Sequence, residues 1–310
     1  MKQFFTFLII LLSVIVSKAQ ESATFSHYYA YPILVNPGYT GFGEHQLLLN
    51  FKNNWTGFPG APKDFSVSYN GPLNSRSGLG AQVFTEKVAS LRINKFQLNY
   101  AYLVPVKEFK VGVGLSGEFQ SEKIESSVAS DALTLPNDEV LQDALNGLKL
   151  FDVSFGVYAE SKSGLYFGFT LPNMIRARLD NNVVAGKEAA KAFQNYTLNL
   201  GFKHDMSDYG IVLEPSVMLR NYRTVPIQVD FNLLASILEK KAFGGVSYRA
   251  GESSRGGLLA GVRWGFGTLM YSYNYSFRKL QDYSGGGHEI SLKFNLNNAL
   301  NADDTANENF

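Results

Sequence analysis

Between Thr268 and Arg278 the chain reads TLMYSYNYSFR, with a large apolar or aromatic side chain at every second position. Leu269, Tyr271, Tyr273, Tyr275 and Phe277 share one face; Met270, Ser272, Asn274, Ser276 and Arg278 share the other. A period of two is the side-chain repeat of a β-strand, and two such different faces mean two different solvents. The same alternation recurs along most of the chain. A strand with an apolar outside and a small or polar inside, repeated many times, points to a transmembrane β-barrel.

Composition is compatible with that reading and narrows the alternatives. The 310 residues suit one large domain or two small ones. The charges, 28 basic against 27 acidic, leave no basic excess for nucleic acid. Without cysteine there is neither a disulfide framework nor a thiolate site. A mean hydropathy near zero argues against a helical membrane bundle but not against a barrel, whose strands are half apolar. The start, MKQFFTFLIILLSVIVSKAQ, has a positive end at Lys2, an apolar run from Phe4 to Val16, and a small-x-small site at Ser17-Lys18-Ala19. It reads as a signal peptide over residues 1–19, being shorter than the roughly 20 residues a spanning helix needs.

Residues 20–43 show no clean period and read as an N-terminal loop or partial plug. Alternating stretches follow: 44–53, 64–70, 78–86, 92–104, 109–120, 149–160, 164–171, 194–204, 210–221, 226–234, 241–249, 256–266, 268–278 and 288–296. They predict about 14 antiparallel strands between residues 44 and 296, in the even-numbered range of outer-membrane barrels. Two excursions, 121–148 and 172–192, interrupt the pattern. An acidic tail, 297–310, follows the last strand and suggests no role.

Open strand edges in hydrocarbon leave backbone groups unpaired at several kcal/mol each, and closure removes both edges. The rival architecture, a secreted β-sandwich, would put the aliphatics within and the polar face outside. A barrel of this size is wider than one that side chains fill, so its lumen holds water, a plug or a guest segment. Gly112, Gly114, Gly168, Gly201, Gly245 and Gly261 fall on the polar face. They have two readings: local strand bending, or room for a backbone inside the lumen.

Chemistry is sparse. His27, His45, His204 and His288 lack a second ligand at metal spacing and read as structural or surface residues. There is no G-x-S-x-G elbow and no phosphate-cradling glycine loop. Asp131, Asp138, Glu139 and Asp143 do not match a calcium loop and read as a solvated segment. Arg176 and Arg178 could meet lipid phosphates or a partner's carboxylates, or belong to an ordinary polar loop. No catalytic, cofactor or metal site is expected.

Several stretches carry a resemblance: FSHYYAYPILVNPGYTG, NNWTGFPGAPKDFSVSYNGPL, GLGAQVF, FDVSFGVYAESKSGLYFGFTLPNMI, LEPSVMLRNYRTVPIQVDFNLLA, KKAFGGVSYRAG and GGGHEISLKFNL. Together they resemble the PorP/SprF outer-membrane proteins of the Bacteroidetes type IX secretion system over nearly all of the chain after the signal. The residues most specific to the likeness are Asn36, Pro37, Trp55, Gly57, Phe58, Gly60, Pro62, His288 and Glu289. The chain departs from the family's habit at Gly38 and Thr40, and at EKVASL, where a glycine-bearing turn is often found. The resemblance implies an integral outer-membrane protein without enzymatic activity, serving protein secretion or gliding motility. It also implies partners: the C-terminal domain of a large secreted adhesin, secretion components or a peptidoglycan-binding lipoprotein, and outer-membrane lipid. Alternatives are a general subunit of the secretion machine and a diffusion channel. Trp55, Phe58 and Pro62 read as a rigid turn or as partner contacts, and the two excursions as partner contacts if strand parity puts them outside.

Overall fold

Tyr271 pairs with Ala260 on one side and Ile290 on the other, so the strand that carries the aromatic row sits inside a continuous sheet. The structure is a computed structural model, which describes residues 25–125, 145–179, 194–222, 225–251, 254–277 and 279–297. The expected signal peptide and nearly all of the acidic tail lie outside the described residues.

The strands are β1 (Gln46–Asn53), β2 (Lys63–Asn74), β3 (Ser77–Val88), β4 (Leu91–Val106), β5 (Phe109–Ile124), β6 (Leu148–Ser161), β7 (Leu165–Leu171) and β8 (Ala177–Arg178). They continue as β9 (Tyr196–Phe202), β10 (His204–Met206), β11 (Ile211–Tyr222), β12 (Val225–Ile237), β13 (Ala242–Ala250), β14 (Arg255–Trp264), β15 (Gly267–Ser276) and β16 (Gly287–Asn295). Two-residue β8 only pairs at the side of β6. β9 and β10 both pair with β11 and make one stave, interrupted at Lys203. The wall therefore has 14 antiparallel staves. β1 pairs with β16 from Gln46↔Asn295 to Asn53↔His288, which closes the barrel and leaves no edge. Among the described residues no helix is long and apolar enough to cross a membrane.

The outward face follows the alternation. Phe51, Phe65, Phe96, Tyr100, Phe119, Phe231, Tyr271 and Ile290 are exposed, while their chain neighbours Asn50, Ser66, Asp230, Ser272 and Ser291 are buried in the lumen. Strand ends differ from the sequence reading. β2 runs on to Asn74, and β5 to Ile124, so residues 121–124 belong to the wall and not to an excursion. β4 and β5 are 16 residues long. At about 3.4 Å per residue they reach about 50 Å, well beyond the roughly 25 Å apolar band even when tilted. Past Phe119 the outward positions of β5 are Ser121 and Lys123, so no outward apolar alternation marks its last residues.

The connections sort by end. One end carries tight turns at 75–76, 107–108, 162–164, 207–210, 238–241 and 265–266. The opposite end carries every long connection, 54–62, both excursions and the segment 277–286, together with the short β3–β4, β11–β12 and β13–β14 connections. Short turns lie on the periplasmic side of outer-membrane barrels and long loops outside, so strand parity puts both excursions on the extracellular side. Residues 126–144 and 180–193 within them, including Asp131, Asp138, Glu139 and Asp143, lie outside the described residues.

Candidate functional site: the lumenal plug and the long-loop end

Residues 25–42 occupy the lumen and form three short 3-10 turns, Ser26–Tyr29, Pro32–Leu34 and Pro37–Tyr39. Pro32 and Pro37 each open a turn, where a fixed φ suits the first position and the missing N–H is not needed. Asn36 caps the third turn, its Oδ1 accepting the Gly38 N–H at 2.8 Å.

One flank of the plug is held by charge. The first turn has no local side-chain cap. Glu289 supplies one from β16, accepting the backbone N–H groups of Ser26 at 2.7 Å and His27 at 3.0 Å. Glu289 and His27 are fully buried, and hydrogen bonds to an ionised acceptor are the strong kind. The His27 ring bridges Ser291 at 2.5 Å through Nδ1 and Ser272 at 2.9 Å through Nε2. Tyr28 donates its hydroxyl to Asp230 at 2.9 Å and accepts from Asn232 at 3.1 Å. Asp230 also accepts from Arg249 Nε at 2.6 Å and from Arg220, whose guanidinium lies 4.7 Å from the Tyr28 ring centre.

Below these polar clamps lies an apolar patch that the sequence reading missed. Met218, Leu234, Phe243, Leu259 and Met270 point inward from β11 to β15 and bury Tyr28, Tyr29, Tyr31 and Ile33. In sequence they look like lapses in a polar face. Their clustering on five adjoining strands was the available signal.

The opposite flank is held by close approach. Asn36 Nδ2 donates to the Val157 carbonyl at 2.9 Å. A Cβ at Gly112 would overlap the carbonyl oxygen of Gly38, and one at Gly114 that of Pro37. Outside the six expected positions, a Cβ at Gly156 would overlap the Asn36 side-chain Oδ1, and one at Gly78 the Gly41 Cα and N. Gly168 faces the Asn36 amide. Gly201 and Gly261 instead lie beneath the rings of their cross-strand partners Tyr166 and Phe243, and Gly245 against the Leu233 carbonyl. Some of the glycines thus clear a path for the plug backbone and others shape the wall. Phe42, Tyr158 and Tyr166 stack around Tyr39 and Leu103 to finish this side. A cavity of about 50 Å³ persists beside Tyr31, Leu48, Asn70 and Lys293. That is room for a few waters, far from an aqueous channel.

The residues on which the resemblance rested fall in three places. Asn36, Pro37 and Glu289 are lumenal, on opposite flanks of the plug. His288 faces outward, its Nδ1 2.7 Å from the Tyr271 hydroxyl. Trp55 to Pro62 form the β1–β2 connection at the long-loop end. This turn needs left-handed backbone at Trp55, Gly57 and Gly60. It is tied by Asn54 N–H to Pro62 O, by Thr56 to both Gly285 and Gly286, and by Ala89 N–H to Gly60 O. Phe58 stands exposed on it, as do Ile175, Leu179 and Tyr283 on other connections at the same end. Arg176 turns to Glu122 at 3.3 Å, and its backbone N–H to Asp152 at 3.2 Å. Among the described residues no group of His, Asp and Glu could hold a metal ion.

A closed 14-stave wall, an apolar outer band and a lumen filled by the chain's own residues define a plugged outer-membrane barrel. The chain belongs to the PorP/SprF family of type IX secretion system membrane proteins, whose profile matches residues 17–294. No functionally curated protein matches it. Among solved structures it is similar to the outer membrane protein Omp33 of Acinetobacter baumannii, at 6% identity and a TM-score of 0.48, over 81% of this chain and 97% of that one. A FadL homologue of Pseudomonas aeruginosa gives 13% identity, a TM-score of 0.46 and coverages of 81% and 90%. The monoaromatic hydrocarbon channel TodX gives 9%, 0.48, 83% and 90%. These likenesses concern the barrel alone.

Proposed function

We propose that this barrel is a non-enzymatic anchor that holds the C-terminal domain of a secreted cell-surface adhesin at the outer membrane. The observation that supports it is the occupied lumen. A segment bonded to Glu289 and Asp230 on one flank, and seated on Gly112, Gly114 and Gly156 on the other, spans the lumen from wall to wall. A barrel so filled is built to hold rather than to pass solutes. Its partner surface is then the long-loop end, where the braced Trp55–Pro62 turn offers exposed Phe58 and other connections at that end offer Ile175, Leu179 and Tyr283. Exposed apolar side chains on a rigid rim are a docking feature. Secretion components or a peptidoglycan-binding lipoprotein would engage the short-turn end.

Affinity purification of the tagged barrel from detergent extracts is the test. Recovery of an adhesin C-terminal fragment supports the anchor; recovery of neither adhesin nor secretion component overturns it. Deletion of the gene separates the neighbouring reading. Loss of one surface adhesin fits a dedicated anchor, and loss of all type IX export fits a general machine subunit. A steady, solute-dependent single-channel conductance would favour a channel instead.

A further inference from the structure

The outer face of the wall is charged asymmetrically at the long-loop end. Lys63 of β2 is the cross-strand partner of Lys87 in β3, Lys87 of Arg92 in β4, and Arg92 of Lys123 in β5. Four basic side chains therefore occupy one rung of four adjoining strands. Parity sends them outward, because Lys63 shares its face with exposed Phe65, Lys87 with Val83, Arg92 with Phe96 and Lys123 with Phe119. Lys63, Arg92 and Lys123 are exposed, and Lys87 is half-exposed beside Glu125, 2.7 Å away. The next outward rung reads Phe65, Thr85, Asn94, Ser121 and Lys149; the one beneath it reads Val67, Val83, Phe96, Phe119 and Phe151. Followed the other way round the wall, the basic rung continues as Asn53, His288, Tyr273 and Leu258, with no fixed charge. Like charges directly opposite one another destabilise a sheet. Among the described residues the acidic partner beside this rung is Glu125, on Lys87, and one carboxylate does not offset four cations.

We infer that this rung is a binding site for the phosphate groups of an anionic outer-leaflet lipid. The arrangement is amphipathic in the required order. Cations stand at the headgroup level, a polar rung with Lys149 lies beneath, and an all-apolar rung meets the acyl chains below that. Long Lys and Arg stems lie along apolar surface while their heads reach outward, and guanidinium and ammonium groups are suited to phosphate. An acidic protein would need no apolar wall directly under its charges. The lipid bridges the four cations and removes their mutual repulsion, which fixes a preferred lipid on the β2–β6 side and leaves the β11–β16 side free for other neighbours.

The test uses the full-length barrel, delipidated in a neutral detergent. Binding is read by native mass spectrometry and by the lipid-induced rise in thermal unfolding temperature. The probes are bisphosphorylated lipid A, phosphatidylcholine and inorganic phosphate. Lipid A should bind and stabilise; phosphatidylcholine and inorganic phosphate at the same concentration should not. The variant K63Q/K87Q/R92Q/K123Q should bind lipid A at least about tenfold more weakly, since each basic group near an anionic surface contributes separately. K63R/K87R/K123R should bind as the parent does, and so should K107Q/K162Q/K240Q/K241Q, which removes four charges from the short-turn end. Without lipid the Gln variant should be no less stable than the parent. If it fails to fold, Arg92→Gln and Lys123→Gln alone should each weaken binding by about threefold. The inference is overturned by unchanged lipid A affinity in the Gln variants, by an equal loss in the short-turn variant, by equal binding of phosphatidylcholine, or by inorganic phosphate reproducing the shift. Loss of adhesin capture with lipid binding intact would overturn it too, and would mark the rung as a protein contact.

Discussion

The carboxylate of Glu289, two residues into the last strand of the wall, accepts the backbone N–H of Ser26 at 2.7 Å across 263 positions of sequence. With the His27 N–H it forms the cap that the first turn of the plug lacks locally. Glu289→Ala would leave both buried donors unsatisfied, at about 1–3 kcal/mol each. The expected result is a plug that detaches in part, seen as intermittent single-channel openings in planar bilayers and a lower unfolding temperature. Glu289→Gln keeps one acceptor oxygen and should show a smaller effect. A fully closed, equally stable Ala variant would remove Glu289 from the latch.

On the other flank the decisive contacts are to backbone, which cannot rotate away. Gly112→Ala and Gly114→Ala should each cost about 1–3 kcal/mol, because a methyl group there meets the Gly38 or Pro37 carbonyl. Gly117→Ala, whose Cβ would meet only the Phe151 ring at 3.7 Å, is the control and should be neutral. Deleting residues 25–43 should give a conducting pore in which Gly112→Ala and Gly114→Ala cost nothing further. Undiminished penalties in the deletion background would mean that these glycines serve strand curvature and not the plug.

Alternation made the wall legible. It placed 14 staves because hydrocarbon demands an apolar residue at every second position and a closed sheet. The same logic falls silent where the outer solvent is water, so the end of β5 was read several residues short. It also says nothing of what fills the inside. A polar inner face is compatible with water or with a plug, and inward Met218, Leu259 and Met270 carry meaning only once Tyr28, Tyr29 and Ile33 are packed on them. The glycines were visible but ambiguous: Gly114 and Gly261 look alike in sequence, yet one faces a lumenal carbonyl and the other its neighbour's ring. The pairing of His27 with Ser272 and Ser291 is a matter of three-dimensional register, and a lone histidine has no periodic signature.

The turn between β3 and β4 carries a small local strain. Ala89 sits at φ +50°, in the left-handed region that favours glycine. Relief of the Cβ clash is about 1 kcal/mol, of which the added flexibility of glycine in the unfolded chain offsets a part. Ala89→Gly should therefore raise the unfolding temperature slightly, and the hydrogen bond from its N–H to the Gly60 carbonyl should persist. A lowered unfolding temperature would show that the Ala89 methyl, which packs near Gly60, contributes more than the strain costs.

The charged clamp on Tyr28 should respond unevenly to its members. Asp230 is the shared acceptor for Arg220, Arg249 and the Tyr28 hydroxyl, and all of these are buried. Asp230→Ala strands two guanidinium groups in the wall, and breaking a buried pair in this way costs about 3–5 kcal/mol. Tyr28→Phe removes only the hydroxyl, at about 0.5–1.5 kcal/mol, and keeps the ring under Arg220. Urea unfolding in detergent micelles should rank the variants in that order. Asp230→Asn should fall between them, because it retains hydrogen-bonding atoms but not the charge. If Tyr28→Phe proves as damaging as Asp230→Ala, the plug is held by the hydroxyl itself; if Asp230→Ala is nearly neutral, the two arginines find other acceptors and the clamp does not secure the plug.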